Sequence, residues 1–123
     1  MPEKNQFSVD IVGDYVRLKT WGEMALEGLD APADAALKLA QENNITKLLD
    51  DISEVDPRNA SLHMQAKGMG VLWKLRKFDK VAVVFKGKQL GTLFFASLST
   101  LHLNDTFKGF DNEVEAIAWL QSK

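Results

Sequence analysis

Val81-Ala82-Val83-Val84-Phe85 decides the fold. An unbroken apolar run rich in β-branched residues suits a strand buried on both faces, as in a parallel sheet covered by helices. Working outward, Ile45 to Ile52 reads as a second buried strand ending in acids, and a short strand is expected around Thr106 to Phe110. The intervening segments read as helices. One begins near Pro32, with Asp30 as its expected cap, and runs to Asn43-Asn44. A long one starts at Pro57 and reaches about Lys77, and an apolar one follows Lys88. Asp111 is the expected cap of the last, which passes through Trp119 and Leu120. Two apolar runs, Phe7 to Val12 and Tyr15 to Thr20, open the chain around Gly13-Asp14, a pair suited to a tight hairpin. Helix and strand then alternate. The expected fold is α/β: a mixed, mostly parallel sheet of about five strands with an N-terminal hairpin, flanked by about four helices.

Composition narrows the function. A length of 123 residues makes a single domain, 1–123. A net charge of −2 argues against a nucleic-acid partner. Without cysteine there are no disulfides, thiolate chemistry or cysteine-held zinc. Met1 to Gln6 is polar, unlike a signal peptide, and no apolar stretch reaches membrane-spanning length, so a cytoplasmic location is expected.

The charge is unevenly spread. Lys67 to Lys88 holds seven basic residues and one acid, Asp79, which leaves −8 for the rest of the chain. Gln89 to Asn104 then carries no formal charge except on His102, and is rich in leucine and phenylalanine. Lys67, Lys74 and Lys77 fall on one stripe of the long helix, with Lys86 and Lys88 extending the patch. A second stripe, Leu62, Ala66, Met69 and Trp73, is expected to face the core. In the apolar helix Leu90, Leu93, Phe94, Ser97 and Leu101 fit a core stripe, whereas Phe95, Leu98 and Leu103 do not join it easily. Gly87 and Gly91 at its start would let it shift as a lid over an apolar pocket lined by Met64, Met69 and Trp73.

The candidate ligand- or membrane-binding set is therefore Lys67, Lys74, Lys77, Lys86 and Lys88 for charge, and Met69, Trp73, Leu90, Phe94, Phe95 and Leu98 for the apolar part. It suits a lipid-like anionic molecule or an anionic membrane surface, with peripheral placement at the inner membrane. A docked protein partner or a homodimer contact is the alternative. The acids Asp50, Asp51, Glu54 and Asp56 read as solvated loop residues rather than a metal site. No P-loop, Gly-x-Gly-x-x-Gly or Gly-x-Ser-x-Gly motif is present, and His63 and His102 lie in different helices. No catalytic residue, cofactor or metal is expected.

Leu48-Leu49-Asp50-Asp51-Ile52-Ser53-Glu54-Val55-Asp56, Phe78-Asp79-Lys80-Val81-Ala82-Val83-Val84 and the ending Phe110-Asp111 through Glu115-Ala116-Ile117-Ala118-Trp119-Leu120, in this order of elements, resemble the bacterial SpoIIAA-like proteins. That resemblance spans nearly the whole chain. It implies the STAS fold of anti-sigma-factor antagonists, likened also to CRAL-TRIO lipid-binding domains, often dimeric. The Asp-Ser-Ser-Gly motif of phosphoserine partner switching is missing: the matching segment reads Asp56-Pro57-Arg58-Asn59-Ala60-Ser61.

Overall fold

The computed structural model describes residues 6–23, 25–56 and 62–122, with side chains throughout except at 62–65, 88–90, 93 and 95. Nine elements follow one another. β1 (Gln6–Val12) and β2 (Tyr15–Glu23) form a hairpin, followed by α1 (Ala31–Asn43), β3 (Lys47–Asp56), α2 (Leu62–Leu75), β4 (Lys80–Val84), α3 (Lys88–Leu101), β5 (Phe107–Phe110) and α4 (Glu113–Gln121). Spatial order equals chain order, β1-β2-β3-β4-β5, with β1 antiparallel to β2 and every later pair parallel. Gly13, at φ +59°, occupies the first central position of the two-residue turn, which only glycine enters without strain.

Successive crossovers of one hand between neighbouring strands place α1, α2 and α3 on the same face. Val16, Leu18, Leu48, Val81, Val83 and Phe107 point into that layer and meet Ala33, Ala36 and Ala40 of α1, Leu75 of α2, and Phe94 and Leu98 of α3. Three alanines let α1 approach β1 and β2 closely. The opposite face carries a smaller core: Tyr15, Leu49, Ala82 and Val84 under Ala116 and Leu120 of α4. The run 81–84 thus alternates between two apolar layers, which is why it shows no polar position.

Several elements depart from expectation. β3 continues to Asp56 instead of stopping at Ile52, so Asp50 and Asp51 are buried strand residues, not solvated loop acids. A register shift between Lys19 and Trp21 bends the β2–β3 pair there. Asp30 stands at the N-cap of α1 but makes no side-chain cap bond. The cap of α4 is Asn112, not Asp111: its Oδ1 accepts from the Glu115 N–H at 2.9 Å. The expected helix start at Pro57 and the segment through Ser61 lie outside the described residues.

Phe85 locks α3 against the sheet edge. Its ring lies in the slot between Gly91 of α3 and Gly109 of β5; an added Cβ would come within 2.8 Å of the ring at Gly91 and 2.7 Å at Gly109. At Gly109 that Cβ would also meet the Phe94 ring at 3.0 Å, and the Phe85 and Phe94 rings pack at 5.8 Å between centroids. Gly91 is accordingly a packing glycine. Gly109→Ala is expected to cost ~1–3 kcal/mol by overpacking. Chemical denaturation measures this, and a wild-type midpoint would show that the ring yields freely.

Candidate interaction surface

The basic segment does not form one ridge. Lys67 and Lys74 project from α2 toward α1. Lys67 Nζ stands 3.2 Å from Asp30 Oδ2, and Lys74 Nζ stands 3.3 Å from Asp30 Oδ1 and 3.1 Å from Asp34 Oδ1. Asp30 is lowered from the usual carboxylate range, first by its hydrogen bond from Lys67. Lys74 is held above its ordinary value, first by Asp34. The side chain expected to cap α1 therefore clamps α1 to α2. Lys80 works elsewhere: its ammonium donates to the carbonyls of Trp119 at 3.0 Å and Ser122 at 2.7 Å, neutralising the C-terminal end of α4. Lys77 and Lys86 are exposed and pair with no described acid. The side chains of Lys88, Leu90 and Phe95 lie outside the described residues.

The stripe of α2 that meets the core is offset from the expected one. Val71, Leu72 and Leu75 pack inward, whereas Ala66 is exposed, Met69 half-buried and Trp73 47% exposed. Arg76 holds the Trp73 ring in place, with its guanidinium 4.1 Å from the ring centroid and Nη1 donating to the Trp73 carbonyl. Among the described side chains, a stacked tryptophan–arginine pair at the end of α2 is thus the main feature presented to solvent. Phe94 and Leu98, at 6% and 2% exposure, belong to the core under α3, as does Leu103. Leu98 stands one turn on from Phe94 and shares one buried stripe with Gly91 and the half-buried Leu101, while Thr92, Ala96, Ser99 and Thr100 are exposed opposite; Leu103 lies beyond the end of the helix.

On the other face α4 packs over β3, β4, β5 and the start of β2 at Tyr15, which leaves β1 and the rest of β2 largely without a helix above them. Several polar side chains on this face pair with one another. Arg17 Nε donates to Glu113 Oε1 at 2.9 Å, and Lys19 Nζ lies 2.7 Å from Glu54 Oε2. Asp51 Oδ1 accepts from the Ser53 N–H and, at 2.6 Å, from the Ser53 hydroxyl. Asp50 points the opposite way, into the α1–α3 layer between Leu18 and Val83. It is 9% exposed, and its Oδ1 finds no hydrogen-bond donor among the described residues. Burial, reinforced by the neighbouring Asp51 charge, pushes its carboxyl up to about 7. A shallow cleft of about 530 Å³ opens where the strands begin, between the hairpin tip (Gly13, Asp14) and the α1–β3 corner (Asn43 to Lys47).

Among the described residues no helix is long and apolar enough to cross a membrane. The sequence matches no protein-family model and no curated protein. Solved structures do match. The fold is shared with the crystal structure of an anti-sigma factor antagonist from Mycobacterium paratuberculosis, which superposes with a TM-score of 0.64, at 16% identity, over 95% of this chain and 94% of that one. More particularly, the chain has the SpoIIAA-like fold. An uncharacterized protein with that fold from Shewanella loihica superposes at 0.58, with 22% identity, over 94% of this chain and 92% of that one.

Proposed function

We propose that this protein is a non-enzymatic regulatory module that docks a protein partner on the outer face of α2, in the manner of an anti-sigma-factor antagonist. The observation that carries the reading is the exposed Trp73–Arg76 pair. Tryptophan and arginine are the residue types that dominate binding energy at protein interfaces, and a ring already stacked loses little freedom on docking. Likeness in fold to an antagonist of anti-sigma factors supports the same class of partner. The phosphoserine motif is absent from the sequence, so regulation by phosphorylation at that position is not part of the proposal.

Binding to a lipid-like anionic ligand or an anionic membrane is the second reading, favoured by the exposed Lys77 and Lys86. It is weakened by the pairing of Lys67 and Lys74 with Asp30 and Asp34, because an anionic headgroup must first displace those carboxylates. Titration of the protein against purified anti-sigma factors of its own cell tests the first reading. Saturable binding is expected, reduced at least about tenfold by Trp73→Ala, a loss of ~1.4 kcal/mol or more. Absence of any such binding, together with salt-sensitive flotation on anionic vesicles that strengthens in Asp30→Asn/Asp34→Asn, would replace it with the second.

A further inference from the structure

We infer that β1 is a self-pairing edge, and that two copies of this chain associate by joining their β1 strands antiparallel about Val9. The two edges of the sheet differ. β5 offers four residues, too few for a stable ladder, whereas β1 runs straight for seven, Gln6 to Val12, in unbroken register with β2. It carries few of the devices that blunt an edge: no proline, no lysine and no bulge, with Asp10 its one charge. Among the described residues no strand pairs with its outer side.

Turn geometry sets which backbone groups are offered. A two-residue hairpin closes with a hydrogen-bonded pair, here Val12 with Tyr15. Alternation then directs the backbone groups of Asp10 and Ser8 toward β2 and those of Phe7, Val9 and Ile11 outward. Centred on Val9, an antiparallel copy pairs Val9 with Val9, and Phe7 with Ile11, in hydrogen-bonded positions. Phe7, Val9 and Ile11 share the face that packs under α1, with Phe7 and Val9 half-buried there and Ile11 39% exposed. The pairing continues that apolar layer across the contact and covers Ile11. On the other face Ser8 comes opposite Asp10 of the second copy, twice, so each exposed carboxylate gains a hydroxyl donor. Moving the two-fold by one residue along the strand sets Asp10 opposite Asp10, or Ser8 opposite Ser8, and forfeits these hydrogen bonds. One strand per copy makes a small interface, so the dimer is weak and concentration-dependent.

Sedimentation equilibrium of the full chain over a wide concentration range tests the association. Its mass is expected to rise toward twice the monomer, and Ile11→Lys to abolish the rise. Ser8→Cys/Asp10→Cys tests the register on exposed positions, in a chain with no cysteine of its own. Those positions form a closely spaced cross-strand pair within disulfide reach. Oxidation is expected to yield a covalent dimer from the double variant many times faster than from either single variant. A mass that stays monomeric at every concentration overturns the proposal. Equal cross-linking by the single variants overturns it too, since that pattern means collision without register.

Discussion

Replacing Asp50 by valine is expected to stabilise the protein by ~2–4 kcal/mol at neutral pH and to remove most of the fall in stability that the parent shows between acid and neutral pH. The carboxyl is raised from 3.8 to about 7 because it lies in an apolar layer with one oxygen unpartnered and a like charge at the next position. Over that interval the folded chain keeps the Asp50 proton and the unfolded chain has lost it. The folded state therefore binds more protons, and stability declines as pH rises from 3.8 through about 7, levelling off above. At ~1.4 kcal/mol per pH unit the full interval amounts to about 4 kcal/mol. Asp14 and Asp30, lowered by their hydrogen bonds, slope the other way in acid, so the informative quantity is the variant minus the parent. Valine suits a buried strand site flanked by Leu18 and Val83. Urea unfolding at a series of pH values checks the result, and parallel profiles for the two proteins would reject it. Asp50→Asn should flatten the profile equally while keeping an unsatisfied amide, and so gain less stability.

Leu98→Ala is expected to destabilise the fold by ~2–5 kcal/mol, since it empties a fully buried site where α3 meets the core. This separates two roles that composition alone confounds. If Leu98 served mainly as a contact for an external ligand, its removal would weaken binding and leave the unfolding midpoint near that of the parent. Trp73→Ala is the complement: with half of the ring already in solvent, its effect on stability is expected to stay within ~1 kcal/mol while partner binding falls. Measured together by denaturation and titration, the two variants divide the apolar residues of α2 and α3 into packing and recognition. Equal stability losses would mean that Trp73 belongs to the core.

The strands could be read from the chain because their cause is local. Val81 to Val84 alternates between two apolar layers, so every position is apolar, and Gly13 supplies a turn that no other residue makes as easily. The failures have non-local causes. Asp50 and Asp51 imitate a strand end, yet β3 runs on, because Asp51 is satisfied by Ser53 and Asp50 is enclosed. Helical spacing put Lys67 and Lys74 on one stripe without revealing that Asp30 and Asp34 stand opposite, a pairing made only when α1 and α2 lie side by side. Helical spacing reads Trp73 as an apolar residue of the core stripe. Arg76, one turn on, covers its ring and lets it remain outside. The offset of a helix about its own axis is decided by what packs beside it, and periodicity leaves that offset open by a residue or so.

Spatial order equal to chain order also bears on how the molecule is assembled. Each strand can dock on the one made just before it, so all five strands and the layer of α1, α2 and α3 can form before α4 is made. The other side has to wait. Leu49, Ala82 and Val84 stay bare until α4 arrives, and α4 is what reaches back to the beginning, through Glu113 to Arg17 and Gln121 to Asp14. α4 acts as a clasp, joining a late segment of the chain to the early hairpin. A nascent chain that lacks α4 presents an apolar sheet face to chaperones, and a chain that includes it does not.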